Sequence, residues 1–201
     1  MEEKEKISIK VFIIIAIISV IVLALIVGAI VLNNNSKAEV INEEKEGAEI
    51  TLNYADKESK LALTNMKATK DAEGVKNDAA DKVFNFTVNT ELIEAESADY
   101  EIYVTKNKKE CNIPDDYLRL YLEKESDGTF NKVVDATAFK PLTKKDSLGV
   151  PKDSMVLFKD SVDASASINY RLKMWLAEDF IAQDGEVINC SVSIAIKGKA
   201  K

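Results

Sequence analysis

Between Val11 and Leu32 the chain reads VFIIIAIISVIVLALIVGAIVL, without a charged residue and with Ser19 as its only polar side chain. Wound as a helix, such a run reaches about 33 Å, enough to cross a hydrocarbon layer of about 30 Å. In water it would need burial on every side, whereas in lipid a helix satisfies its own backbone. Residues 11–32 are therefore read as a transmembrane helix, with the lipid bilayer as that segment's partner. A cleaved secretory signal is the competing reading. Signal cores are shorter, roughly 7–15 apolar residues, but Val27-Gly28-Ala29 offers a weak small-residue cleavage site. Lys4, Lys6 and Lys10 precede the run, and Lys37 and Lys45 follow it. This basic bias makes residues 1–10 a cytoplasmic tail and puts the C-terminal part outside the cell.

Residues 33–47 are polar and charged with no apolar period, as expected of a stalk or linker. The first ten residues balance three Lys against three Glu, so the whole net charge of −7 lies beyond the apolar run. An exported domain so acidic offers no basic excess for phosphate backbones, and no nucleic-acid partner is expected.

From residue 48 onward the apolar period becomes two. Ile50, Leu52 and Tyr54 alternate with polar residues, as do Leu61 and Leu63, then Phe84, Phe86 and Val88, then Tyr100, Ile102 and Val104, then Leu118, Leu120 and Leu122. Ile168 to Leu176 and Ile188 to Ile196 are the longest such runs. Strands with one apolar and one polar face bury that face by stacking two sheets, so residues 48–201 are expected to form an all-β, antiparallel β-sandwich ectodomain. Phe84, Phe86, Tyr100, Ile102, Leu120, Leu172, Met174, Val192 and Ile194 are its expected core. Asp127-Gly128 and Asp184-Gly185 read as turns. Pro114, Pro141 and Pro151 fall between strands, Asn65–Asp81 reads as a long loop, and Ala177–Gln183 as one short helical turn. The run Glu186–Gly198 is β-branched and nearly uncharged, hazardous at an open edge, and is therefore placed centrally, paired with Ser167–Ala177. The isolated domain is then expected to be monomeric. Any polymer would use another edge or a strand donated from Glu49–Tyr54.

Chemistry is sparse. The chain has no histidine, which removes Ser-His-Asp and Cys-His nucleophiles and histidine metal sites. No nucleophile elbow, dinucleotide fingerprint or phosphate loop occurs. The chain is read as a non-enzyme with no cofactor. Asp115, Asp116, Glu123, Glu125 and Asp127 could gather around Ca²⁺, or simply be solvated loop charges. Cys111 in the polar loop NKKECNIPDD and Cys190 on an apolar strand face are a possible disulfide in an oxidising compartment. Trp175, the only tryptophan, shares a strand face with Arg171 and Lys173. That strip reads either as a partner contact or as a tryptophan covering the sheet rim beneath basic stems.

The segments LALTNMKATKD (Leu61–Asp71), VFNFTVNT (Val83–Thr90), ESADYEIYV (Glu96–Val104) and NYRLKMWLAED (Asn169–Asp179) resemble exported β-sandwich proteins of Gram-positive bacteria of the camelysin and TasA type. The resemblance implies a cell-surface structural or adhesive protein, a biofilm-matrix component whose partners are other surface or matrix proteins. It carries over no site residue. The alternative is a membrane-tethered binding module of a larger envelope complex that does not self-assemble.

Overall fold

Alternation becomes strand wherever one face finds a core. The computed structural model describes residues 47–55, 59–144 and 150–201. The chain divides into two units, Met1–Lys37 and Ala38–Lys201, and all described residues belong to the second. The expected transmembrane helix at 11–32 lies outside the described residues. Among those described, no helix is long and apolar enough to cross a membrane.

The elements are β1 (Ala48–Tyr54), β2 (Lys60–Leu63), β3 (Ala68–Thr69), a one-turn α1 (Asp71–Gly74), β4 (Val83–Leu92), β5 (Ala98–Lys106), β6 (Leu118–Ser126), β7 (Thr129–Ala138), β8 (Thr143–Lys144), β9 (Met155–Val162), β10 (Ala166–Ala177) and β11 (Cys190–Ala200). One sheet has the order β1-β4-β10-β6-β7, with β3 also pairing with β10; the other has the order β2-β11-β5-β9-β8. Pairing is antiparallel except between β3 and β10. The inward faces of both sheets merge into one apolar core, and every expected core residue lies within it. The chain is thus all-β and mostly antiparallel, as expected from its period.

Ile50 of β1 packs directly on Gly198 of β11, where an added Cβ would lie 1.9 Å from Ile50 Cδ1, so a larger residue would displace the β1 side chain. Further along, Tyr100 and Tyr170 from opposite sheets place their hydroxyls 2.6 Å apart. Both reach Asp160 Oδ2 at 3.0 Å, and Lys124 Nζ meets the same oxygen at 2.6 Å. Burial works against ionisation of Asp160, but Lys124, the Ser161 amide and the two hydroxyls outweigh it and hold the carboxyl below its ordinary pKa. Burial raises the pKa of both tyrosines, which stay protonated donors. Tyr54, its hydroxyl pushed up to about 12 by burial, donates to the Ile194 carbonyl at 2.8 Å and ties β1 to the opposite sheet.

Several expectations need correction. β11 is central, as expected, but between β2 and β5; β10 is central in the other sheet, between β4 and β6. The two long strands therefore lie in different sheets instead of pairing, because the 178–189 connection crosses from one sheet to the other. The Asn65–Asp81 segment is not a plain loop. It holds β3 and α1, and Gly74 fits against the indole of Trp175, where a Cβ would come within 2.4 Å. Residues 177–183 contain no helix, only the turn closed by Phe180 N–H donating to the Ala177 carbonyl at 3.1 Å. Finally, β7, β8 and β9 add three strands that alternation did not announce.

Candidate functional site

The connections of the sandwich are unequal at its two ends. Where the described chain begins, Gly47 accepts from the Ile93 amide, and Lys201 N–H donates to Ser97 nearby. The links at this pole, residues 93–97, 127–128 and 163–165, are short; Asp127 and Gly128 adopt the positive φ of a tight hairpin turn. The opposite pole collects the long links, residues 64–82, 107–117 and 178–189, together with the 139–142 crossover and the turn at 150–154. Functional residues concentrate on such loops because a rigid scaffold positions them while their sequence stays free.

The Trp175, Arg171 and Lys173 strip is not open to a partner. Trp175 is 5% exposed and Lys173 is 3% exposed, because residues 65–82 fold across the outer face of β10. Trp175 Nε1–H donates to Asp71 Oδ1 at 2.9 Å, and Lys173 Nζ donates to the Val75 carbonyl at 2.7 Å. Lys173 also pairs with Asp78 at 2.6 Å and Glu123 at 3.3 Å, and its bond to Asp78 holds that carboxyl below its usual range. The guanidinium of Arg171 stacks over Phe130 at 3.9 Å. The strip is the docking surface for the chain's own cover, with a cavity of about 250 Å³ left beside Met66, Lys82, Met174 and Leu176.

The acidic residues considered for Ca²⁺ are not brought together. Asp115 pairs with Lys106 and Asp116 with Lys140 at the loop pole, Glu123 lies under the cover, and Asp127 is in the hairpin turn at the other end. Among the described residues no cluster of metal-ligating side chains is found.

Cys111 and Cys190 are joined as a disulfide. Cys190 is the first residue of β11, at the open end of the core, and residues 107–117 close over it. Asn112 N–H donates to the Asn189 carbonyl at 3.1 Å, and Asn189 N–H returns a bond to Asn112 Oδ1 at 2.9 Å. Beside this clasp, on the outer face of the second sheet, a depression of about 370 Å³ gathers Lys60, Lys108, Lys109 and Lys152; Lys106 lines it too, but its ammonium turns to the Ile113 carbonyl and Asp115. Lys60 pairs with Glu110 at 2.8 Å and Lys108 with Asp153 at 2.8 Å. The Lys60 bond, helped by Ser191, keeps the Glu110 carboxyl below its usual range, and the Asp153 bond raises Lys108. Sequence reasoning passed over these lysines because they come from separate segments; the Lys108-Lys109 doublet in an acidic chain was the available signal.

No family model matches the chain, and no curated protein matches it. Among solved structures, the VP2 subviral particle of infectious bursal disease virus aligns at 14% identity and a TM-score of 0.37, over 80% of this chain and 36% of that one. The chain thus spans about a third of the capsid protein's length. The family 32 CBM from C. perfringens NanJ in complex with galactose aligns at 9% identity and a TM-score of 0.23, over 71% of this chain and 98% of that one. The adhesin domain of Lys-gingipain from Porphyromonas gingivalis W83 aligns at 7% identity and a TM-score of 0.24, over 80% and 89%. None of these distant likenesses informs the chemistry of the site.

Proposed function

We propose that the chain is a single-pass surface protein, anchored by residues 11–32, whose β-sandwich works as a non-catalytic adhesive module through its loop pole. The observation that carries this reading is the segregation of the long connections to the end opposite Gly47. The disulfide supports export, since such bonds persist in oxidising compartments. Lateral polymerisation fits the edges less well. β7 is irregular against β6 at two places and carries Lys132 and Asp135, features that discourage strand addition. A matrix role of the camelysin and TasA kind would need a regular open edge, and β1, paired to β4 without a register break, is the strand that would supply it.

The test uses cells displaying the full chain. Protease shaving of intact cells is expected to remove the domain and leave the first residues with the membrane. Replacing residues 179–187 by a short Gly-Ser link should abolish adhesion to an immobilised extracellular matrix, while changing Asp127-Gly128 to Asn-Gly should not. A domain protected from protease, or equal adhesion by both variants, would overturn the reading.

A further inference from the structure

We infer that the lysine-lined groove astride residues 107–112 binds an anionic polysaccharide strand. The inference rests on the adhesive reading and names the chemistry of its ligand. A chain with a net charge of −7 brings four lysine ammonium groups to one depression. Lys60 and Lys108 are paired with Glu110 and Asp153. The Lys106 ammonium turns away from it, to the Ile113 carbonyl and Asp115. Lys109 and Lys152 form no ion pair among the described residues. The groove therefore offers two uncommitted cations beside two held by carboxylates.

Its floor is equally well fixed. The disulfide ties the loop to β11, and Asn107 N–H donates to the Ser191 carbonyl at 3.0 Å. Thr105 and Ser154 hydroxyls meet at 2.7 Å and anchor the turn that carries Lys152. The backbone of the groove is thus ordered beforehand, and the ordering left to binding is that of its exposed lysine side chains. Across the loop a second depression of about 480 Å³ shares Lys108, Lys109 and Ser191 with the first and adds Thr64, Asn112 and Asn189. An extended polymer can thus continue from the basic side to an amide- and hydroxyl-lined side.

The composition of the groove discriminates among polyanions. Glu110 and Asp153 stand among the lysines, where they accept hydrogen bonds from sugar hydroxyls but repel a strand charged at every unit. No aromatic side chain lines either depression, so the groove has no platform on which bases could stack. Sparse carboxylates or phosphates separated by hydroxyls fit this pattern.

The test is calorimetric titration of the full chain in detergent micelles with polygalacturonate, phosphomannan, neutral dextran and a single-stranded DNA oligomer. The first two arms separate carboxylate from phosphate as the preferred charge. Binding to at least one of them, weakened by salt and absent with dextran, is expected. Lys109→Glu with Lys152→Glu should weaken it by at least about tenfold, with an unchanged melting temperature because both side chains are exposed. Lys109→Arg with Lys152→Arg should retain it. The inference is overturned if neither acidic glycan binds better than dextran, if DNA binds as tightly, or if the double glutamate variant binds normally. Protease shaving scores display separately, so failure of this inference and failure of the adhesive reading remain distinguishable.

Discussion

Replacing Asp160 with Ala probes how the two sheets are fastened. Its Oδ2 accepts from Tyr100 and Tyr170 at 3.0 Å each and meets Lys124 at 2.6 Å. Because the two tyrosine hydroxyls also touch, one can still donate to the other after the truncation, leaving a single buried hydroxyl hydrogen without an acceptor. An orphaned buried hydroxyl costs about 1–3 kcal/mol, and loss of the charge-assisted bonds adds about 1 kcal/mol. The expected destabilisation is about 2–4 kcal/mol, a fall of roughly 1 M in the urea midpoint. The decisive comparison changes Tyr100 and Tyr170 together to Phe in both backgrounds. In the wild type it removes two satisfied bonds and should cost about 2 kcal/mol; in Asp160→Ala it removes the orphan along with the one remaining bond and should cost about 0–1 kcal/mol. Acidity supplies a second signature. The folded-state pKa of Asp160 lies below its unfolded value, so its contribution is complete above about pH 4 and disappears as pH falls through the folded value. The gap between wild type and Asp160→Ala should therefore close on acidification. If the paired change to Phe costs the same in both backgrounds, the hydroxyl accounting is wrong.

Reducing the Cys111–Cys190 bond, which closes a separation of 79 residues, should remove about 4–5 kcal/mol of stability by the chain-entropy estimate. Paired urea titrations with and without reductant measure it, and a loss below about 1 kcal/mol would contradict the clasp. Gly74→Ala should force α1 off Trp175, cost about 1–3 kcal/mol and shift the indole emission to the red; unchanged fluorescence would mean the cover is not seated there. A fragment spanning residues 48–201 should stay monomeric by light scattering across a concentration series. Spontaneous filaments would show that an edge strand recruits neighbours despite the central position of β11.

The strands of the core were legible because burying one face imposes a strict period: Phe84, Phe86 and Val88 must alternate once β4 packs its inner side. The same logic explains the omissions. Val133 and Val134 are adjacent in β7 because its register against β6 shifts, and β9 begins Met155-Val156-Leu157-Phe158 opposite a shift in β5. Such irregularities erase the period that reveals a strand. Alternation also reports which face is buried without naming the neighbour, so β10 and β11 could be recognised as long and central yet be assigned to each other. Trp175 was put on the correct face of β10, with Arg171 and Lys173, but its cover was missed because residues 65–82, which have no period of their own, supply it. The cysteine pair stayed open because a strand starting at Glu186 would bury Cys190 in mid-sheet. Starting at Cys190, β11 leaves that thiol at the open end, within reach of the loop.

Interior positions in both sheets are taken by the last two strands described. β10 and β11 carry the central positions, so residues 48–165 alone hold flanking strands with nothing between them: β4 and β6 lack their bridge, and so do β2 and β5. A polypeptide in this condition cannot close its core until β10 and β11 have been made. On the export proposed above, late closure would keep the translocating form linear. It also makes β11 unforgiving. A truncation that removes β11 leaves β2 and β5 with open backbone on the sides where it should lie, a form directed toward aggregation more than toward partial function.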